Sequence, residues 1–431
     1  MRLFLYLGFL LAICIAFQLQ TGIGSTYASR QVIREEPVPF TRKPIAPNES
    51  EAACRFERAE DDADYVSPPM PLGEWLNGPE VSSFPSSTRI GDARLGVDQR
   101  FQIGFTASVK IRELPLSRSA SRDLLFISGV NDRQGKILVT AKTARKVIGD
   151  QDLPDSEVTF RNCVFLQPGD YILWNAIYDV ESGKHNVSKR RVRIDKLDSD
   201  PLPRILSGSP VAEFPTLVGS NSGFAVPAPA NLNLPIANRR PVSVDLLFLV
   251  NSSQLQSDNR IRAILQGIGT LAQMKLADGS ISVSGLDLQK REVMFTENRA
   301  GRLDFGQLVD TTVKAADDLS VSLFELQTRK EEPSFLREFL RQKLQSPSPL
   351  HRIILVLSGS MTFDRGADHS PLKLNSNCNC NVSYLAFRFN EEGFDDIGRV
   401  LTGTNTRRFN IASGRDLRKA MADIIRYVEK Y

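Results

Sequence analysis

Polar residues follow two long apolar runs of the sequence, and their types suit ligand binding. The run Val242–Val250 is apolar at most positions and ends at Asn251-Ser252-Ser253. The run 351–357 ends in the same way at Ser358-Gly359-Ser360. Open α/β sheets bind their ligands beyond the carboxyl ends of such buried strands. The predicted partner-binding face therefore comprises Asn251, Ser252, Ser253, Ser358 and Ser360.

The segment 362–381 contains further side chains that can bind metals or exchange disulfides. They are Asp364, Asp368, His369, Cys378 and Cys380. The Cys-x-Cys spacing lacks the second cysteine pair that a structural zinc site uses. The preferred interpretation is a surface insertion that carries a disulfide. A transition-metal site and a redox-active cysteine pair are the alternatives.

The sequence offers little for catalysis. It has three histidines, and none of them lies in a recognisable nucleophile arrangement. Ser358-Gly359-Ser360 does not fit the Gly-x-Ser-x-Gly elbow of hydrolases, and the sequence has no glycine-rich phosphate-binding loop. We therefore expect that the chain is not an enzyme.

Predicted strands and helices alternate from residue 241 to the end of the sequence. Beside the two apolar runs, strands are expected at 280–286, 292–295, 382–389 and 408–411. Helices are expected at 259–276, 305–317, 334–344, 394–401 and 413–431, where apolar residues recur at helical spacing. Such alternation predicts a mostly parallel sheet with helices on both faces, a doubly wound α/β domain.

The preceding region, residues 84–197, has the pattern of an all-β domain. Short alternating runs lie at 101–111, 123–130, 137–140, 158–166, 171–178 and 189–194. Turn residues separate them at the spacing of an antiparallel sandwich. The sequence Leu-Gln-Pro-Gly-Asp-Tyr at 166–171 resembles the tyrosine corner of immunoglobulin-like domains, in which the tyrosine hydroxyl bonds to the backbone. We predict an immunoglobulin-like β-sandwich.

The residues between these two regions, 198–240, are rich in Pro, Ser and Gly. A connection of this composition lies between domains or wraps the surface of a domain. We predict a linker here and a domain boundary near residue 240.

The amino terminus has the pattern of a targeting signal. Arg2 precedes an apolar run at 3–17 and a polar, small-residue segment at 18–28. This predicts a signal peptide at 1–28 and a protein that is secreted or held in the periplasm or cell envelope. An uncleaved anchor and a lipoprotein signal at Cys14 are the alternatives. Residues 29–83 are rich in Pro, Glu and Asp, and predict a disordered tether.

The cysteine and charge counts bear on the expected disulfide and on the kinds of partner that the chain binds. Four cysteines remain after signal removal, Cys54, Cys163, Cys378 and Cys380, and a Cys54–Cys163 disulfide is the preferred pairing. The chain has 54 basic and 50 acidic residues, spread along its 431 positions, which gives no case for nucleic-acid binding. We expect a protein partner in the envelope or extracellular space. A membrane is expected to be involved only through an uncleaved signal.

The carboxyl-terminal region resembles a von Willebrand factor type A domain. Residues 244–255 are similar to that family's first strand and metal-binding loop, which reads apolar strand and then Asp-x-Ser-x-Ser. Residues 396–403, Phe409 and 412–417 are similar to its closing helix, edge strand and last helix. The succession of signal, sandwich and divergent type A domain also resembles type-A-related proteins secreted by soil bacteria such as acidobacteria.

The resemblance implies a metal-ion-dependent adhesion site that has degraded. The family holds a divalent cation through the Asp and two Ser of the first loop, a later Thr, and an Asp after the fourth strand. In this sequence Asn251 replaces the first Asp, Leu255 replaces the second Ser, and Leu357-Ser358-Gly359 stands in place of Thr-Asp-Gly. Neutral oxygens alone bind Mg²⁺ poorly, so no cofactor is expected. In the alternative, Mg²⁺ or Ca²⁺ is held by Ser253, Thr311, Asp364 and Asp368.

Three hypotheses follow from the sequence. The first is an extracytoplasmic protein-binding or adhesion module that works without a metal. The second is metal-dependent adhesion through a site rebuilt with Asp364 or Asp368. The third is a redox or metal protein that uses Cys378 and Cys380.

Overall fold

The computed structural model describes residue 54 and residues 69–114, 121–140, 144–149, 156–219, 224–251, 258–298, 303–317, 329–345, 350–373, 379–388, 395–404 and 406–431. The predicted signal peptide and nearly all of the predicted tether before residue 69 lie outside the described residues, as do Ser252, Ser253 and Cys378. Within the described part of the chain, no helix combines the length and the apolar composition that a membrane span requires.

Two antiparallel sheets occupy the region predicted to be a sandwich. Their strands are β1 (Val81–Ser82), β2 (Ser87–Ile90), β3 (Arg94–Leu95), β4 (Phe101–Lys110), β5 (Ser121–Asp132), β6 (Ile137–Thr140), β7 (Ala144–Gly149), β8 (Glu157–Leu166), β9 (Gly169–Asp179), β10 (His185–Ile194) and β11 (Ala212–Glu213). One sheet has the order β1-β10-β9-β5-β6, with β7 also paired to β5. The other has the order β11-β8-β4-β2, with β3 also paired to β4.

The two sheets enclose one apolar core. Side chains alternate between the faces of a strand, so every second residue points inward. Ile103 of β4 is thereby buried in the same cluster as Phe126 of β5 and Leu173 of β9. The Tyr171 hydroxyl donates a hydrogen bond to the Gln167 carbonyl oxygen at 2.9 Å, as the resemblance to a tyrosine corner implies.

The predicted disulfide between Cys54 and Cys163 is confirmed. The Cα atoms of the two residues lie 5.3 Å apart, and Cys163 lies in β8. The bond closes a long stretch of chain, because the two cysteines are 109 positions apart in sequence. Cys380 is also disulfide-bonded.

The described part of residues 69–83 is folded, although the sequence predicts a tether as far as residue 83. Helix α1 (Leu72–Asn77) packs on the outer face of the first sheet. Its Trp75 stacks on His185 with ring centroids 4.3 Å apart, and Trp174 is buried in the same cluster. The tether pattern misses this segment because a single large apolar side chain, Trp75, accounts for most of its burial.

The connection 198–240 contributes strands and core residues to the fold. Besides β11, it forms an antiparallel pair of β12 (Leu217–Val218) and β13 (Val226–Pro227). It then forms β14 (Leu234–Ile236), which pairs in parallel with β16 (Met274–Leu276). Leu234 and Ile236 are buried in the core of the following domain. This segment therefore wraps a domain surface.

A six-stranded sheet forms the centre of the second domain. Its strands are β15 (Val242–Val250), β17 (Gly279–Asp287), β18 (Glu292–Glu297), β19 (His351–Gly359), β20 (Cys380–Phe387) and β21 (Arg407–Ile411). Its helices are α2 (Asp258–Leu271), α3 (Phe305–Asp317), α4 (Glu332–Gln345), α5 (Asp396–Leu401) and α6 (Gly414–Val428). The strand order is β18-β17-β15-β19-β20-β21, and every pair is parallel except that of β17 and β18.

Helices cover both faces of this sheet. Phe248 of β15 belongs to a cluster with residues of α2, α3 and α6, whereas its neighbour Leu249 belongs to a cluster with residues of α4 and α5. Helix α2 is shorter than the predicted 259–276, because residues 274–276 pair with β14 instead of continuing the helix. That pairing joins segments that are far apart in sequence, so no pattern of neighbouring residues predicts where the helix ends.

A turn of the sandwich packs against the second domain and bonds to it. Gln99, which has a positive φ of 67°, is fully buried and donates from Nε2 to the Gly414 carbonyl oxygen at 3.1 Å. Thr270 of α2 donates to the carbonyl oxygen of Val97, in the same turn, at 3.4 Å. The backbones approach closely at Gly414, where an added Cβ would overlap the carbonyl oxygens of Leu95 and Gly96. The sandwich and the sheet domain are therefore joined by close packing as well as by chain.

This close approach predicts that Gly414→Ala destabilises the protein. The methyl group would press against backbone oxygens that cannot rotate away, and overpacking of this kind costs about 1–3 kcal/mol. The measurement is the free energy of unfolding in denaturant. Gly73→Ala is the control, since nothing lies within 4 Å of a Cβ at that exposed helical position. Equal stabilities of the two variants would contradict the packing described here.

Candidate functional site

A cleft opens at the carboxyl ends of β15 and β19. The chain passes from β15 to β17 on one side and returns to β19 on the other, and this change of direction is where open α/β sheets bind ligands. Together with the open solvent at its mouth, the cleft has an empty volume of about 310 Å³. It is lined by Leu249, Val250, Asn251, Arg260, Ile261, Ile264, Gly359, Ser360 and Met361. The structure thus brings Asn251 and Ser360 together, as the sequence predicts.

Asn251 bonds to a buried carboxylate. Its side-chain amide donates to Glu332 Oε2 at 3.4 Å, and Arg329 Nε donates to the other carboxylate oxygen at 3.4 Å. Glu332 begins helix α4 and is fully buried, and Asn251 is 1% exposed. An aspartate at position 251 would place two negative charges together. The amide is therefore chemically matched to Glu332.

Burial is the main influence on the charge of this carboxylate. Desolvation raises the pKa of Glu332 from 4.5 to about 6, against the lowering effect of Arg329. The negative charges of Asp287 and Asp364 raise it further. Asp287 ends β17, is fully buried, and accepts from the backbone amides of Gln289 and Lys290 at 3.0 and 3.2 Å. The carboxyl edge of the sheet thus contains carboxylates that the type A pattern does not anticipate.

Arg260 covers the end of β19. A Cβ atom added to Gly359 would lie 2.7 Å from Arg260 Cδ, so the arginine side chain crosses directly over this glycine. The Ser360 hydroxyl beside it is buried and has no hydrogen-bond partner among the residues that the structure describes, whereas the Ser358 hydroxyl donates to the Gly359 carbonyl oxygen at 2.8 Å. The predicted residues of this strand end therefore differ in role. Ser360 lines the cleft, and Ser358 bonds to its own backbone.

The two aspartates predicted as metal ligands bond to other groups of the protein. The Asp364 side chain accepts from the Gly366 amide at 2.8 Å, which closes its own turn. Asp368 pairs with Arg337 at 2.7 Å, and hydrogen bonds from the Ser370 amide and hydroxyl lower the pKa of Asp368. Neither aspartate lines the cleft.

The predicted threonine ligand lies inside a helix. Thr311 belongs to α3, as does its neighbour Thr312, whose hydroxyl donates to the Leu308 carbonyl oxygen at 2.8 Å. Neither threonine lines the cleft. Among the described residues, no three His, Cys, Asp or Glu side chains are grouped so as to hold a metal ion.

The sequence did not single out Glu332, Arg329 or Arg260. An acidic residue in the first turn of a helix is an ordinary feature of helix starts, so nothing marks Glu332 as the partner of Asn251. Its position follows only from the pairing of β15 with β19 and from the return of α4 across the sheet.

These features define an antiparallel sandwich joined to an α/β domain with a largely apolar cleft at the carboxyl edge of its sheet. No protein-family model matches the sequence, and no curated protein matches it.

Solved structures similar to this chain include von Willebrand type A proteins. The VWA2 paralogue of ArnB from Sulfolobus acidocaldarius is 10% identical, with a TM-score of 0.27 over 60% of this chain and 50% of that one. A von Willebrand factor type A protein from Catenulispora acidiphila is 7% identical, with a TM-score of 0.23 over 73% of this chain and 52% of that one. The chain thus spans about half the length of these structures, and similarity at these TM-scores carries no argument about function.

The raised pKa of Glu332 predicts a fall in stability with increasing pH. The unfolded carboxyl group loses its proton near pH 4.5, whereas the folded one keeps it until about pH 6. The contribution of Glu332 to stability is therefore complete below pH 4.5 and is lost as pH rises to 6, a change of about 2 kcal/mol. Glu332→Gln should remove this fall, measured as the free energy of unfolding between pH 4 and pH 7.

Glu338→Gln is the matched control. Glu338 lies on the same helix but is exposed, and the hydrogen bond from Gln342 lowers its pKa, so this variant should keep the wild-type fall in stability as pH rises to 6. If Glu332→Gln and wild type lost stability in parallel, the buried carboxylate would not be ionising as described.

Proposed function

We propose that the chain is an extracytoplasmic protein-binding or adhesion module that contacts its partner through the carboxyl-edge cleft without a divalent cation. In this proposal the second domain is a divergent, doubly wound type A domain. The sandwich is an immunoglobulin-like domain that supports it and presents it to the partner.

One observation carries the metal-free part of the proposal. The position that the type A resemblance assigns to a cation-binding aspartate is Asn251, whose amide is engaged with the buried carboxylate of Glu332. A divalent cation at this strand end would meet the amide in place of a charged ligand and would lie near the positive charge of Arg260. Both features disfavour a cation.

The cleft has the chemistry of a protein-binding surface. It combines apolar residues such as Ile261 and Met361 with polar groups from Asn251, Arg260 and Ser360. Interfaces commonly place such polar groups among apolar contacts, and arginine is enriched in them. The unpaired Ser360 hydroxyl would gain a hydrogen bond from a partner.

Metal-dependent adhesion is the second candidate, and a specific observation favours it. Asp364 acts electrostatically on Glu332, so one of the predicted ligands lies near the carboxyl edge of the sheet. Asp368 gives less support, because Arg337 already neutralises it. A rebuilt site would therefore use Asp364 with Glu332 rather than with Asp368.

The redox candidate, centred on Cys378 and Cys380, has little support. Cys380 is disulfide-bonded, and the Oδ1 atom of its neighbour Asn379 accepts a hydrogen bond from His351 Nδ1 at 2.7 Å. Changing either cysteine to serine should leave partner binding intact if the disulfide only closes the insertion.

Cation titration separates the first two candidates. We expect no heat of binding when Mg²⁺, Mn²⁺ or Ca²⁺ is added to the wild-type chain in a calorimeter. Asn251→Asp should place a second carboxylate next to Glu332, and thermal unfolding of this variant should become cation-dependent, because a cation relieves the repulsion. Tight binding by wild type that Ser253→Ala or Asp364→Asn abolishes would overturn the metal-free proposal.

Capture of partners from the native envelope fraction tests the binding face. Wild type should retain the same proteins with and without EDTA. Arg260→Glu should lose them, because it reverses the charge within the cleft. Arg193→Glu is the control, since Arg193 lies on the sandwich and its side chain is 77% exposed. Loss of capture in EDTA, or equal loss in both variants, would contradict the proposed function.

A further inference from the structure

A second polar cluster lies at the carboxyl end of β20, outside the cleft. Asp395, which precedes helix α5, has a side chain that is only 3% exposed. One of its oxygens accepts from the Tyr384 hydroxyl at 3.0 Å and from the Gly398 amide at 3.4 Å. The other accepts from Arg388 at 3.1 Å and from Arg408 at 2.6 Å.

The cluster has more positive than negative charge. Two guanidinium groups share one oxygen of a single carboxylate, which leaves an excess of one positive charge among the described side chains of the cluster. The other side-chain hydrogen bond of Arg408 goes from Nε to the neutral Asn410 at 3.3 Å. The adjacent Asp396 does not supply the missing charge, because it pairs with Arg399 at 3.0 Å.

Both arginines retain donors for a further anion. Arg388 Nε is buried and finds no hydrogen-bond partner within the described part of the chain. The Arg388 and Arg408 side chains are 24% and 39% exposed, so an anion from solvent can reach them.

The geometry of the cluster is fixed before any ligand arrives. The Arg408 guanidinium lies 5.6 Å from the centre of the Tyr384 ring. A Cβ added to Gly398 would lie 2.8 Å from Arg408 Nη1, so the arginine fits closely over the start of α5. Donors that are held in place lose little conformational entropy on binding.

We propose that Arg388 and Arg408 form a carboxylate-binding site that takes an acidic side chain of the protein partner. The excess of one positive charge matches a single carboxylate, which is a monoanion, and guanidinium groups bind carboxylates in planar, charge-assisted pairs. The site extends the binding face from the ends of β15 and β19 to the end of β20, where Arg388 follows the strand, and to Arg408 on the edge strand β21. It rests on the proposed function, because it assigns the chemistry of that partner.

A synthetic glutamate peptide with blocked ends is the probe, and a glutamine peptide of equal length is its control. In calorimetry on the full chain, the glutamate peptide should bind with an affinity that falls as salt is added, and the glutamine peptide should not. Arg388→Gln and Arg408→Gln should each weaken binding by about tenfold, the value of one charged hydrogen bond. Arg193→Gln removes an equal charge from the sandwich and should have no effect.

Asp395→Asn distinguishes a binding site from an internal ion-pair network. Its side-chain oxygen can still accept from Tyr384, but the variant no longer competes with the ligand for the two guanidinium groups. The glutamate peptide should then bind several-fold more tightly. A merely structural cluster would instead show lower unfolding temperatures in all three variants and the same peptide affinity in each, and that result would overturn the proposal.

Other outcomes are equally decisive. Failure of the peptide to bind wild type at low salt, or equal weakening by Arg388→Gln and Arg193→Gln, would overturn the site. Inorganic phosphate and acetate are compared as competitors of the peptide. If phosphate displaces the peptide at a far lower concentration than acetate does, the site binds phosphate, and the assignment to a carboxylate is overturned. Envelope capture that is lost in Arg260→Glu but kept in Arg388→Gln would leave the proposed function standing and remove only this site.

Discussion

Burial of β15 on both faces is the constraint on which the rest of the second domain depends. Consecutive residues of this strand, Phe248 and Leu249, belong to different apolar clusters, so the strand can lie only in the interior of a sheet with helices on each side. Parallel neighbours on both sides follow, and their carboxyl ends meet at one edge. The cleft lies at that edge, and Arg388 follows the carboxyl end of β20 at the same edge.

The residue types at the carboxyl edge of this sheet match one another in charge. An amide at position 251 is compatible with a buried carboxylate at position 332, whereas two carboxylates at this distance would repel each other. Likewise, the Arg260 side chain crosses over Gly359 at the end of β19 and occupies the space beside it.

The sequence was informative where the signal is local. The apolar runs of β15 and β19, the helical spacing in α2 and the Tyr171 corner all arise from neighbouring residues, and the structure has each of them. The parallel pairing of β14 with β16 was not predictable, because both strands are three residues long and lie far apart in sequence.

In the candidate site, too, some residues are marked by a local sequence pattern and others are not. Asn251 and Ser360 could be placed on one edge because both follow buried strands. Glu332 could not, since it is 81 positions from Asn251 and looks like any acidic helix start. The convergence of Arg388 and Arg408 on Asp395 joins a strand end, an edge strand and a helix cap, and none of these carries a motif.

The disulfide between Cys54 and Cys163 has a mechanical consequence. A tension applied to the chain before residue 54 passes through a covalent bond into β8, which is paired over ten residues with β4. Helix α1 and strands β1 to β7 lie within the loop that the disulfide closes, so they are bypassed by the load. Contacts made wholly inside that loop, such as the pairing of β5 with β7, would remain unstretched while the β8–β4 ladder is loaded.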